Sequence, residues 1–257
     1  QWANATVLPD GKVVVTGGTR SANRGGADAV YHAELWDPEE GTWTIGASAS
    51  VVRVYHSAAL LMPNGTVLST GGGAPGPVNN LNAEVYYPPY LFRDSASGGV
   101  ELAPRPRPIA VSTLSPGYGE SLNVDLAQAA PLQRVALIGT SSVTHSFNSS
   151  QRRLELPFVQ RGGRVAIGLP TRDVDAPPGY YLLFLLDAAG VPSPGILLSL
   201  GLSAEALPAV PTLLRGSELI LESLSHPGSM LATDAESRGV LLHLGEEPTE
   251  EELSPAR

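Results

Sequence analysis

One segment of this chain occurs twice. Ala5-Thr6-Val7-Leu8-Pro9-Asp10-Gly11-Lys12-Val13-Val14-Val15-Thr16-Gly17-Gly18 returns 54 residues later as Ala59-Leu60-Leu61-Met62-Pro63-Asn64-Gly65-Thr66-Val67-Leu68-Ser69-Thr70-Gly71-Gly72. Each copy is an apolar run, a Pro-Asp-Gly or Pro-Asn-Gly turn, a second apolar run and a Gly-Gly pair. Turn residues that tolerate left-handed backbone between two apolar runs predict a β-hairpin. A second pair follows, Ala33-Glu34-Leu35-Trp36-Asp37-Pro38 and Ala83-Glu84-Val85-Tyr86-Tyr87-Pro88. A hairpin closed by Gly-Gly, then a loop, then an aromatic strand before Pro is the pattern of a β-propeller blade, of the kelch type at this spacing. Such a blade buries its two faces on neighbours, and a ring takes about 4 to 8 of them. Two blades cannot close a ring, so the remainder is expected before Gln1. The chain opens at Gln1-Trp2, without Met and already in a strand pattern, as an excerpt of a longer protein would.

Beyond Tyr90-Leu91-Phe92 the repeat stops. Asp94-Ser95-Ala96-Ser97-Gly98-Gly99 followed by Pro104, Pro106 and Pro108 reads as a linker. Short strands are then expected at Ile109 to Ser112, Ser121 to Val124, Gln133 to Ile138, Arg153 to Leu156, Arg164 to Gly168, Tyr180 to Asp187 and Ile196 to Leu200. That series predicts an immunoglobulin-like β-sandwich. The fold class is therefore all-β: a partial kelch propeller of two blades over residues 1–97, then a sandwich over 98–202. Residues 203–257 form a short extension. Pro208 and Pro211 mark a second linker there, Ser217 to Leu224 and Val240 to Leu244 read as isolated strands, and Leu219 to Leu231 faintly resembles the opening of a β-trefoil module. The run Glu246-Glu247-Pro248-Thr249-Glu250-Glu251-Glu252 reads as a solvated tail.

Composition narrows the function classes. The net charge of -9, with scattered basic residues, argues against a nucleic-acid partner, because phosphate contacts need clustered Lys and Arg. The longest apolar run, near Tyr180 to Leu186, is strand-sized, so no membrane-spanning helix is expected. With no Cys, this chain holds no disulfide, thiolate ligand or Cys nucleophile.

Two places could carry chemistry. Tyr55-His56 stands where the first repeat has Gln1-Trp2, so the blade itself does not require the pair. His145 lies among Ser and Thr between two apolar strands. Each has a plain structural reading: an aromatic pair filling a strand surface, and a solvent-facing imidazole in a loop.

Read together, the residues resemble one family. Arg53-Val54-Tyr55-His56-Ser57, Met62-Pro63-Asn64-Gly65, Gly71-Gly72-Gly73, Asn82-Ala83-Glu84-Val85-Tyr86-Tyr87-Pro88-Pro89-Tyr90-Leu91, Ser142-Val143-Thr144-His145-Ser146, Gln151-Arg152-Arg153 and Ala176-Pro177-Pro178-Gly179-Tyr180-Tyr181 are similar in order and spacing to the galactose oxidase and glyoxal oxidase family of copper radical oxidases. The likeness runs from about Gln1 to Leu202 and looks closest to bacterial glyoxal oxidase-like members. It implies a propeller followed by an immunoglobulin-like domain whose loop carries a His into the propeller channel. It implies one copper ion, with Tyr55 as axial ligand and proton acceptor and with His56 and His145 as equatorial ligands, a donor set suited to Cu(II). Adjacent strand residues face opposite ways, so Tyr55 and His56 can share a metal only if the backbone is irregular there. The family's radical cofactor, a Tyr cross-linked to Cys, is expected upstream of this chain. Trp2 falls near a substrate-facing aromatic position, and the loop Arg20 to Tyr31 could border the same mouth. The implied reaction oxidises an aldehyde or primary alcohol, free or in a carbohydrate, with O2 to give H2O2 in a secreted protein. The alternative is a non-catalytic kelch and immunoglobulin-like module that binds glycan or wall polymer.

Overall fold

The computed structural model describes residues 1–21, 26–73 and 79–202, together with the backbone of three short strands between 221 and 242. The chain divides into two units, Gln1–Leu202 and Ser203–Arg257. Among the described residues no helix is long and apolar enough to cross a membrane.

The duplicated segment folds as the same hairpin twice. Strands β1 (Asn4–Val7), β2 (Val13–Thr16), β3 (His32–Asp37) and β4 (Thr42–Ser48) form a four-stranded meander, and β5 (Ser57–Leu61), β6 (Val67–Gly71) and β7 (Ala83–Tyr86) form a three-stranded one. The register is equivalent in both: Val7 pairs with Val13, and Leu61 with Val67. In each turn a short polar side chain accepts from the backbone two residues on, Asp10 from Lys12 and Asn64 from Thr66, at 3.2 and 3.1 Å. The two first strands lie side by side, joined where Asn4 Nδ2 donates to Ser57 Oγ at 2.9 Å.

The segment expected to be only a linker holds a small hairpin, β8 (Phe92–Asp94) with β9 (Val100–Leu102), folded about the Ser95–Gly99 turn. The sandwich follows. One sheet contains β10 (Pro108–Val111) and β11 (Ser121–Leu126). The other contains β12 (Leu132–Gly139), after which β13 (Val143–Thr144) and β14 (Phe147–Asn148) make a separate two-stranded hairpin. Then come β15 (Arg153–Glu155), β16 (Phe158–Arg161), β17 (Arg164–Gly168), β18 (Gly179–Asp187) and β19 (Ile196–Leu200). The sheet orders are β10-β11-β17-β16 and β15-β12-β18-β19. Seven of these strands lie where the apolar pattern puts them. The eighth, β16, is an edge strand of sequence Phe-Val-Gln-Arg, whose half-exposed alternation leaves too little apolar signal.

The sheet centred on β12 and β18 is buried on both faces. Val135, Leu137, Tyr181, Leu183 and Leu185 face the partner sheet with Leu122, Val124, Val165 and Ile167. Ala136, Ile138, Leu182, Phe184 and Leu186 turn the other way and pack on Leu8, Val14, Leu35, Ala59, Leu61 and Val67 of the two blades. The uninterrupted apolar run of β18 follows, because a strand covered on both sides has no reason to alternate. Polar bonds seat the same contact. Arg134 and Arg153 donate to the carbonyls of Asp10 and Pro9 in the first hairpin turn. Arg105 donates to the carbonyls of Asn64, Pro192 and Ser193, tying the second turn to the sandwich.

In the second unit β20 (Leu221–Glu222), β21 (Met230–Thr233) and β22 (Gly239–Leu242) form one antiparallel sheet with β21 in the middle. The expected strands there are therefore paired rather than isolated; the short Met-Leu-Ala-Thr segment between them is too brief to stand out. The expected linker at Pro208 and Pro211, the acidic run, and most of the β-trefoil-like stretch lie outside the described residues, as do residues 22–25 of the Arg20 to Tyr31 loop.

Candidate metal centre

Arg53 to His56 reaches β5 through a clasp made by Gly18 of the first Gly-Gly pair and by Gly73, which follows the second. The Gly18 amide donates to the Arg53 carbonyl at 2.6 Å, and the Gly73 amide donates to the Tyr55 carbonyl at 2.5 Å. At Gly17, with φ +69°, an added Cβ would stand 2.6 Å from the Arg53 carbonyl oxygen, so no larger residue fits without moving that segment. The Arg53 side chain is 1% exposed and donates to the carbonyls of Gly71 and Asn82 and to Glu84. Burial pushes the Glu84 carboxyl up, but hydrogen bonds from Ser50 and the Arg53 guanidinium together hold it below its ordinary range. Burial lowers Arg53 in turn.

His56 then adopts φ +63°, a left-handed backbone that is costly for a residue with a Cβ. This is the irregularity that neighbouring Tyr and His need in order to share a side. Their rings stack at 3.8 Å between centroids, 26° apart, instead of pointing to opposite faces. Trp2, the equivalent position of the first repeat, has φ +62°. The unusual backbone thus belongs to the blade, and the imidazole belongs to position 56.

His145 arrives from the sandwich. It and Ser146 are the two residues joining β13 to β14, at φ +51° and +67°. Two consecutive positive φ values make a type I′-like turn, ordinarily the place of Asn-Gly. The hairpin lies against β1 and β5. The His145 Nε2 atom comes to 3.1 Å from that of His56, with the rings 84° apart. The Tyr55 ring is 5.4 Å from that of His145, and Trp2 packs edge-on against Tyr55 at 4.6 Å. All four non-Gly residues of positive φ among the described residues, Trp2, His56, His145 and Ser146, are gathered here.

Thr144 Oγ1 lies 2.7 Å from His145 Nδ1. When Nδ1–H donates to that hydroxyl, Nε2 carries the lone pair and faces the space shared with His56. Two imidazole nitrogens bound to one ion at about 2.0 Å, near a right angle, stand roughly 2.8 Å apart, close to the separation seen here. Among the described residues no three His, Cys, Asp or Glu side chains converge, so the third group of this cluster is a phenol. Two exposed imidazoles on strained backbone and a half-buried phenol fit a Cu(II)-type ion better than Mg(II) or Ca(II), which prefer oxygen alone.

Comparison with known proteins agrees with this architecture. Residues 105–200 match the galactose oxidase-like early set domain, and residues 4–50 match the Kelch motif. The chain thus holds a galactose oxidase-like early set domain and a Kelch motif. It is 35% identical over 196 residues to a galactose oxidase of Gibberella zeae, a match covering 74% of this chain and 28% of that protein. It is 28% identical over 212 residues to the aldehyde oxidase GLOX of Vitis pseudoreticulata, covering 73% of this chain and 38% of that one. A solved structure described as a novel fungal alcohol oxidase of the AA5 family, in complex with copper, superposes with a TM-score of 0.70 at 33% identity, covering 78% of this chain and 42% of that one. The chain thus spans 28% of the length of the Gibberella protein.

The sequence alone assigned no part to Thr144 or to the Gln151 amide. A Thr immediately before a candidate ligand His is a weak signal, although a hydroxyl there is well placed for Nδ1. Gln151 stands in the family-like Gln151-Arg152-Arg153 segment, but nothing local gives its amide a role, because its partner Val7 is 144 positions away.

Proposed function

We propose that Tyr55, His56 and His145 hold one copper ion, and that the complete protein containing this chain is a copper radical oxidase. It would oxidise a primary alcohol or an aldehyde, including aldehydes of the glyoxal type, with O2. The observation that carries this reading is the 3.1 Å approach of the His56 and His145 Nε2 atoms beside Tyr55, made by two strained turns from different parts of the fold. Similarity to galactose oxidase and to a copper-bound alcohol oxidase supports it.

When bound, copper would supply an open coordination position for the substrate oxygen and accept one electron. His56 and His145 would hold the ion through their Nε2 atoms. Tyr55 would take the substrate hydroxyl proton at its phenolic oxygen, acting as general base in its deprotonated form. The Trp2 ring against Tyr55 would hold the phenol's orientation and border the substrate. Two electrons and two protons pass overall from the alcohol to dioxygen, giving the aldehyde and H2O2. The second one-electron site, a Tyr joined to a Cys, would lie outside this chain, which has no Cys. Export of the complete protein belongs to the same proposal.

The test is copper content and H2O2 production of the full-length protein beside His145→Ala. Wild type should hold one copper per chain and form H2O2 from an alcohol or aldehyde. His145→Ala should lose copper affinity by more than the roughly 10–100-fold typical of outer partners. Equal copper content in the two would overturn the assignment of His145.

A further inference from the structure

The hairpin that carries His145 has two residues in each strand, and a two-stranded hairpin of any length is marginal in water. Apolar burial does not hold it: Thr144 and His145 are exposed, and Phe147 is 72% exposed. Its turn is strained at both residues. Some other contact must therefore fix the imidazole against the blades.

Gln151 supplies that contact. Its Oε1 accepts from the Val7 amide at 2.8 Å, and its Nε2 donates to the Val7 carbonyl at 3.2 Å. One side-chain amide thus satisfies both backbone groups of a β1 residue, as a neighbouring strand would. The same Oε1 accepts from Asn148 Nδ2 at 3.1 Å, and Asn148 Nδ2 also donates to Ser141 Oγ at 3.2 Å, across the foot of the hairpin. From β1 the bonds run to Gln151, then to Asn148 at the end of β14, two residues past the His145-Ser146 turn. On the other side β1 is bonded through Asn4 to Ser57, the residue after His56. The same short strand therefore serves as the reference for both imidazoles.

We infer that Gln151 is a positioning residue, whose amide sets where the His145 ring stands relative to His56. The inference rests on the copper reading for its functional consequence and on geometry alone for the positioning. Without Gln151 the blade-to-hairpin contact loses its polar anchor, and His145 samples positions in which its Nε2 no longer shares a centre with His56.

The full-length protein is compared as wild type, Gln151→Ala, Gln151→Glu and Arg105→Ala. Arg105 ties the other hairpin turn to the sandwich and bonds no residue of the 140–152 loop. Copper(II) affinity is read by chelator competition, the site by its EPR spectrum, and the hairpin of the metal-free protein by amide hydrogen exchange over residues 141–150. Gln151→Ala should bind copper roughly 10–100-fold more weakly, with an altered EPR spectrum and faster hairpin exchange. Gln151→Glu keeps an acceptor for the Val7 amide and Asn148 but cannot donate to the Val7 carbonyl, so it should fall between. Arg105→Ala should melt at lower temperature with unchanged copper affinity and spectrum. Wild-type affinity and spectrum in both Gln151 variants would overturn the inference. If Gln151→Ala does not fold, the Glu variant decides by the same readings. Should wild type bind no copper, the proposed function fails on its own; unchanged hairpin exchange in the Gln151 variants would then overturn the positioning as well.

Discussion

At the residue scale, the site is built from backbone conformations that ordinary side chains avoid. Positions 2 and 56, equivalent in the two repeats, share a left-handed φ, yet Trp2 carries an indole and His56 an imidazole. The strain is inherited from the blade, and the chemistry depends on which residue occupies it. The 144–145 pair has a different logic, since Thr144 acts on its neighbour's Nδ1. Replacing the hydroxyl by a methyl in Thr144→Val should leave the fold intact and weaken copper binding by roughly 10-fold, whereas Thr144→Ser should retain wild-type affinity. Chelator competition on the two variants checks this. Equal affinity in the Val variant would mean that the Nδ1 contact does not prepare Nε2. The Tyr55-His56 pair was visible in the sequence because the repeat lacks it at Gln1-Trp2. Gln151 was not, because its bond to Val7 exists only once the chain has returned over 144 positions.

Among the elements, β18 joins two cores. Leu183 packs into the sandwich interior and Phe184 onto the blades, and both are 0% exposed. Leu183→Ala and Phe184→Ala should each cost about 2–5 kcal/mol, since each leaves a cavity in a packed layer. Their consequences should separate. In the folded molecules Leu183→Ala should keep wild-type copper affinity, while Phe184→Ala, which loosens the contact between sandwich and blades, should weaken it. Thermal melts paired with copper competition give both numbers; equal copper affinity in the two variants would mean that this packed face does not position His145. The apolar run of β18 announced a buried strand, but its two partners could not be read from it, because apolar residues carry no label for the surface they cover. β16 escaped notice for the opposite reason: as an edge strand it is polar enough to look like loop.

For the molecule as a whole, one blade face is open. Trp36 and Trp43 pair across β3 and β4, 6.2 Å apart and near parallel, and are 36% and 58% exposed; Ile45 beside them is 76% exposed. Contiguous exposed apolar surface of this kind promotes association. This 257-residue chain by itself should therefore self-associate with rising concentration in sedimentation velocity. Ile45→Lys, which sets a cation opposite Glu34, should reduce that association without loss of thermal stability. Unchanged association in the variant would place the contact elsewhere. By itself the amino-acid order determined the repeated hairpins, the all-β class and most of the sandwich strands, because turn chemistry and apolar alternation act over a few residues and can be read there. Only the tertiary structure decided that β18 is covered on both faces, that the turns of both blades are gripped by arginines of the sandwich, and that His145 meets His56. Those contacts join residues far apart in the chain, and their geometry follows from how the sheets pack.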